Sequence, residues 1–416
     1  MTVATIDVSR LGQRLDALAE IGRIDGPNGE WGNARLALTD EDRAGRDLVV
    51  DWMRALDLDV TIDRIGNIVG VRAGRGADLA PVMTGSHIDT VGTGGRFDGT
   101  LGVLAGLEVI EALNDADIVT ERPLAVAVFT DEEGSRFPPD MLGSLVYAGG
   151  MPLEAALAIE AVDNQATIGD ELGRIGYAGP GPCPPLQPPH AFVELHIEQG
   201  PVLEAEGIEI GVVTDVQGIS WTEVSIVGRS AHAGTTPMAM RRDPGFAAGA
   251  IATFVRDLTR RIGPPLVATV GRVELVPNLV NVVPARATLT VDMRHTDDAQ
   301  LAAADALLTT YLEELAVAEQ VEIATRSLAS FGSVRFDPSM VERIASSAER
   351  LGYSHRRMVS GAGHDAQMLA RICPSSMIFV PSVDGLSHNI AEYTKPEHLE
   401  AGTAVLLDVL LDLASM

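Results

Sequence analysis

Three apolar runs end abruptly in groups that titrate. APVMTGSH (residues 80–87) stops at His87, and RPLAVAVFT (122–130) runs into Asp131-Glu132-Glu133. AFVELHIEQG (191–200) carries Glu194, His196 and Glu198 at alternate positions, which turns them towards one face of a strand. Short apolar runs without helical spacing read as strands buried on both sides, the setting of a sheet covered by helices. Between the first two lies GTLGVLAGLEVIEAL, with Val103, Leu104, Leu107 and Ile110 at helical period. Strand, helix, strand predicts an α/β protein with a parallel sheet. In such sheets chemistry collects beyond the carboxyl ends of the strands, where His87 and the acidic triplet fall.

The segment after the first strand, GSHIDTVGTGGRFDG, holds His87, Asp89, Asp98 and five glycines in fifteen residues. The spacing puts Asp98 where the next helix starts, with its carboxylate expected to cap that helix. Residues 39–56 read as a helix starting at Thr39 or Asp40, and 59–72 as a hairpin around Gly66-Asn67. PGPCPPLQPP (180–189) is a proline-rich connector. Composition shifts near residue 216. From there the expected order is strand (219–228), helix (243–262), strands (266–275 and 286–295), helix (297–316) and strand (321–327). That βαββαβ order is the one of a ferredoxin-like unit. It implies a domain over 216–329 inserted into a first domain formed by 1–215 and 330–416.

With 58 acidic against 31 basic residues, the net charge of −27 speaks against nucleic acid or an anionic membrane as partner. Cys183 and Cys373 are the only cysteines, which leaves no disulfide framework and no zinc–thiolate site. The N-terminal stretch lacks the basic start and apolar core of a signal peptide, and no apolar run is long enough to span a bilayer. A cytoplasmic protein is expected. Histidine and carboxylate at strand ends suit a borderline divalent ion, zinc, or manganese where carboxylates dominate. The candidates are His87, Asp98, Glu132, Glu133, His196 and His388. No pair has HExxH spacing, so the ligands would come from separate strand ends. An open sheet gathers a two-metal site in that way, the paired ions holding a water and lowering its pKa.

The stretches GSHIDTVGTGGRFDGTLGVLAGLEV, DEEGSRF, ELHIEQGPVLE, GRSAHAGTTPM, PNLVNVVP, DMRH, SGAGHDA and SHNIAEYT follow one another between residues 85 and 394. In them the sequence resembles the amidase/carbamoylase branch of the M20 metallopeptidase family. HIEQGPVLE and SAHAGTTPM mark that branch against the peptidases proper. The branch comprises N-carbamoyl-L-amino acid hydrolases, β-ureidopropionases and allantoate amidohydrolases. The resemblance implies a metallopeptidase-like mixed sheet with flanking helices, interrupted by a ferredoxin-like α+β domain that serves as lid and dimer contact. It implies two divalent ions per subunit, zinc or manganese, cobalt or nickel. Asp98 would bridge them, with His87 and His196 on one ion and Glu133 and His388 on the other. Asp89 would orient the His87 ring. Glu132 would be the general base acting on the water between the ions. His232 would stabilise the oxyanion from the partner subunit's lid, and Asn281 and Arg294 would hold the substrate carboxylate. Gln199 would meet the ureido group, and Gly361 and Gly363 would let backbone approach the substrate. His364, beside Asp365, reads as a structural buried pair. Pro138-Pro139 is an unusually rigid step near the expected substrate entrance.

The implied reaction is hydrolysis of a small ureido or amide carboxylate, foremost an N-carbamoyl-L-amino acid, giving the amino acid, carbon dioxide and ammonia. Allantoate is the alternative within the branch, and an aminoacylase or dipeptidase the alternative on the same scaffold. A homodimer through the inserted domain is implied, with hinges near residues 215 and 330.

Overall fold

The computed structural model describes residues 4–415. The chain divides into two compact units, one running up to Thr214 and resuming at Phe336, the other spanning Asp215–Arg335. The second unit ends later than the sequence suggests because its last long strand, Glu322–Phe331, outruns the apolar pattern. A further short strand, Val334–Arg335, then pairs with Val216 and Asp215 before the chain returns.

The first unit is built on a mixed sheet, which has nine strands when the short strand Val334–Arg335 of the second unit is counted. Its middle is parallel, in the order Ser375–Val380, Ala191–Ile197, Val82–His87, Leu124–Phe129. Every residue of these four strands is buried, as their unbroken apolar character requires. The sheet is not parallel throughout. The hairpin Asp59–Ile62/Ile68–Arg72 adds two strands antiparallel on one side, and Ile210–Val216 lies antiparallel on the other. The hairpin turn is tied by Asp63, whose carboxylate accepts the N–H groups of Ile65 and Asn67 and the Asn67 side-chain amide. The helix Asp40–Ala55 starts from Thr39, whose side chain accepts the Asp42 N–H.

Helices Thr100–Asp115 and Pro396–Ala414 pack against the central strands and against each other. Leu104, Leu107 and Ile110 are fully buried there, each contributing roughly 1.5–3 kcal/mol of transfer free energy. The helix after Asp98 is preceded by Gly99 at its cap position, which sits at φ 65° and offers no side-chain hydrogen bond. Asp98 is therefore not the cap expected from its position, because its carboxylate is turned towards histidines instead.

The second unit runs Gly218–Val227, helix Pro244–Ile262, Val267–Val276, Arg286–His295, helix Asp298–Glu319, Glu322–Phe331. Its four-stranded sheet is antiparallel, in the order Val267–Val276, Arg286–His295, Gly218–Val227, Glu322–Phe331. Asp243 and Asp297 cap the two helices. Ile251, Leu258, Leu308 and Leu312 from the helices meet Val224, Leu289 and Val291 from the strands in one core. Ala231–His232 and Val282–Val283 form a small separate ladder. No helix among the described residues is long and apolar enough to cross a membrane.

Candidate metal centre

The carboxyl ends of the four parallel strands converge on Asp98. His87 is the last residue of its strand, His196 the last but one of the next, and Glu132-Glu133 follow the third. His388 lies in the loop after Ser375–Val380. The donor atoms of His87, Asp98 and His196 all lie within 4.8 Å of one another, and so do those of Asp98, Glu133 and His388. Asp98 divides its oxygens between the two groups. Oδ1 is 3.1 Å from His196 Nε2 and 3.9 Å from His87 Nε2. Oδ2 is 3.4 Å from His388 Nε2, which is also 3.2 Å from Glu133 Oε2. A third group, Glu194, His196 and His364, is equally close. Its Glu194 is already committed, accepting the Ser86 hydroxyl at 2.6 Å and the Ala366 N–H at 2.8 Å.

Backbone carbonyls set the imidazoles. His87 Nδ1 is 2.9 Å from the Asp89 carbonyl and His196 Nδ1 is 2.8 Å from the Ile197 carbonyl. A carbonyl only accepts, so Nδ1 carries the proton in both rings and Nε2 is turned to Asp98. The Asp89 carboxylate does not hold His87 as expected: its Oδ1 stands 3.9 Å away. It accepts the N–H groups of Glu132 and Glu133 instead, at 3.3 Å each, and so fixes the acidic turn. The orienting atom on Asp89 is its carbonyl oxygen. His364 likewise departs from the expected His–Asp pair. Its Nε2 is 2.8 Å from the Ser360 hydroxyl, and its ring stands edge-on to His196 with centroids 4.5 Å apart.

The electrostatics favour cations. Burial works against charge on His196, yet the hydrogen bond and charge of Asp98 lift it to about 9. Burial likewise opposes charge on His87, and the charges of Asp89, Glu133 and Asp98 outweigh it and raise the group. The Glu133 hydrogen bond lifts His388 to about 9. Burial would raise Asp98, but the His196 hydrogen bond and the three imidazoles draw it well below the ordinary carboxylate range. Burial, followed by the charges of Asp365, Glu133, Asp89 and Asp98, pushes Glu132 well above its ordinary value. Imidazole and carboxylate donors so arranged fit a pair of divalent ions, which would meet the same demand for positive charge.

Backbone strain concentrates here. Asp131, Gln199 and His388 hold left-handed φ values of 56°, 56° and 53°. For side chains other than glycine such values cost free energy and tend to persist where a site needs them. Gln199, expected to meet the ureido group, turns its amide nitrogen to Asp98 Oδ2 at 2.9 Å. Gly361 and Gly363 lie in the loop that brings His364 onto His196, and a Cβ at Gly363 would come 2.7 Å from Met141 Cε. Pro138 and Pro139, in the loop after the acidic turn, are joined by a cis peptide bond.

The remaining candidates belong to the second unit. His232 is exposed, its Nδ1 accepting the N–H groups of Gly234 and Thr235. Asn281 is its neighbour, since His232 pairs with Val282 and the Asn281 carbonyl accepts the Ala233 N–H. Arg294 is half-buried, 2.9 Å from Asp292 and stacked over Trp221. It does not join them. Asn281 sits beyond Arg286 at one end of the strand Arg286–His295, and Arg294 is near the other end, about 26 Å away at the rise of an extended chain.

Sequence reasoning missed two residues beside Asp98. The Glu392 carboxylate accepts the N–H groups of Phe97 and Asp98, and Ser387 Oγ lies 2.8 Å from Asp98 Oδ2. Both stand in SHNIAEYT, where a serine and a glutamate flanking the histidine were the available signal.

A mixed sheet whose parallel central strands gather histidine and carboxylate donors around one shared aspartate, with a further glutamate alongside, defines a metal-dependent hydrolase. The chain belongs to peptidase family M20/M25/M40, whose pattern matches residues 83–412. It is 42% identical to the N-carbamoyl-L-amino-acid amidohydrolase of Rhizobium meliloti, over 96% of each chain. It is 38% identical to the allantoate amidohydrolase of Escherichia coli (strain K12), over 87% of this chain and 88% of that one. The crystal structure of an amidase of the hydantoinase/carbamoylase family from Burkholderia multivorans superposes with a TM-score of 0.92, at 50% identity and 99% coverage of both chains. These similarities identify the amidase/carbamoylase branch of the family.

Proposed function

We propose that the protein hydrolyses N-carbamoyl-L-amino acids to the amino acid, carbon dioxide and ammonia. The observation that carries this reading is the division of the Asp98 oxygens between two donor groups, with Glu132 Oε2 3.3 Å from His87 Nε2. His87, Asp98 and His196 would hold one divalent ion, and Asp98, Glu133 and His388 the other; zinc, manganese, cobalt or nickel suits these donors. Such ions, when bound, polarise a carbonyl and acidify water. Glu132, raised by burial, takes the proton from the attacking water and delivers it to the leaving nitrogen. Asp89 holds the Glu132 and Glu133 N–H groups so that both carboxylates keep their aim. Gln199 lies beside this centre and meets the ureido group, with the backbone of Gly361 and Gly363 alongside.

The second unit, ferredoxin-like in its strand order, is read as a lid and dimer contact. Arg294 binds the substrate carboxylate through its planar fork and His232 stabilises the oxyanion, while Asn281, expected on the carboxylate with Arg294, lies beside His232 and binds substrate there. Because Arg294 and the His232–Asn281 pair lie at opposite ends of one sheet, a single copy is poorly suited to bring both to one substrate. This supports a homodimer in which His232 serves the partner's centre. Mixing Glu132→Gln and His232→Ala proteins should then restore about a quarter of the activity, because half of the random dimers hold one intact centre. No recovery on mixing would exclude that arrangement. The cytoplasm remains the expected compartment.

The substrate is tested by ammonia release from metal-loaded protein offered an N-carbamoyl-L-amino acid panel and allantoate in parallel. Release from the panel that vanishes with chelator supports the reading. Release from allantoate alone would replace the substrate and keep the chemistry, and silence on both would remove the reading.

A further inference from the structure

Glu392 is 2% exposed, and a single hydroxyl, that of Ser387, lies within hydrogen-bond reach of both its carboxylate and that of Asp98. Two buried carboxylates so close repel, and a core does not keep such a pair without return. What Glu392 does is visible in its bonds. Oε1 accepts the N–H of Phe97 at 2.9 Å and of Asp98 itself at 3.1 Å. Oε2 is 3.0 Å from the Ser387 hydroxyl, which stands 2.8 Å from Asp98 Oδ2. One side chain thus fixes the Asp98 backbone, and through Ser387 it also reaches the Asp98 carboxylate. Gly95 makes room for it: a Cβ there would fall 2.1 Å from Glu392 Oε1. That glycine is required for close approach, whatever turn the loop makes.

We infer that Glu392, acting with Ser387 in the space left by Gly95, positions Asp98 so that its two oxygens stay turned to separate donor groups. The inference rests on the reading of Asp98 as the ligand shared by two ions. A Glu392 that merely satisfied two loop N–H groups would stabilise the fold without changing how ions bind.

The test strips the full-length protein with chelator and titrates it with cobalt(II), reading ion count, affinities and the visible absorption band. Folding is followed separately by circular dichroism. Glu392→Ala should weaken at least one ion by about tenfold to hundredfold, the usual cost of losing a residue that orients a ligand, and change its band. Ser387→Ala should move both readouts the same way by less. Glu392→Gln, whose amide oxygen can accept the same N–H groups, should stay close to the starting protein. Two ions bound by Glu392→Ala with unchanged affinity and band would overturn the inference. Should that variant not fold, the same result for Ser387→Ala would do so. An unmodified protein that binds fewer than two ions would overturn the reading of Asp98 itself, and this inference with it.

Discussion

The strand ends of the first unit and the loops of the second treat their candidate residues in opposite ways. His87, Asp98 and His196 are buried, and each imidazole is locked by a backbone carbonyl. His232 and Asn281 are exposed, and the His232 ring is steadied by the N–H groups of its own loop. Groups that must bind a small cation gain from rigidity, because a donor displaced by a fraction of an ångström loses much of its hold. Groups that must receive a substrate need access first. The difference predicts that damage to the first unit removes the ions and damage to the second leaves them.

The largest effect is expected from Asp98→Ala. Metal analysis should find both ions lost and ammonia release at background; an Asp98→Ala protein that retained two ions would break the comparison at its root. Glu132→Gln comes next, with kcat lower by about 10²–10⁴-fold and the ion count unchanged. Loss of the ions in that variant would mean that Glu132 is a ligand and not a base. His232→Ala should cost about 10²–10³-fold in kcat, as removal of one oxyanion donor does, again with both ions in place. Arg294→Lys should have the smallest effect, a KM raised roughly tenfold by loss of one charge-assisted hydrogen bond, at nearly constant kcat. If Arg294→Lys instead released metal, the two regions would not be separable.

What the sequence made legible follows the same division. His87, His196 and the acidic triplet could be read because each ends or follows an apolar run, and the rule that chemistry sits at the carboxyl ends of parallel strands did the rest. The insertion was readable from alternating strand and helix signals, though its far boundary was not, since Leu328–Phe331 extends a strand whose residues are largely exposed and carry no period. The Asp98 cap was misread, and the atom by which Asp89 orients His87 went unread, for a shared reason. Local spacing favours a near neighbour, whereas the Asp98 side chain is claimed by histidines distant in sequence and the Asp89 carboxylate by the turn at Glu132. Glu392 could be flagged only by its place beside His388 in SHNIAEYT; its contact with Asp98 could not be read, because the two lie 294 residues apart. No periodicity reports a contact of that range.

The paired strands at the crossing, Val216 against Val334 and Asp215 against Arg335, have a consequence for how such a chain can change over time. A segment that leaves and returns side by side asks only that its own two ends meet. Another segment with that property could replace it without disturbing the sheet of the first unit. The recognition role proposed for the second unit and the metal centre proposed for the first, encoded in separable stretches of one gene, would then be free to diversify at different rates.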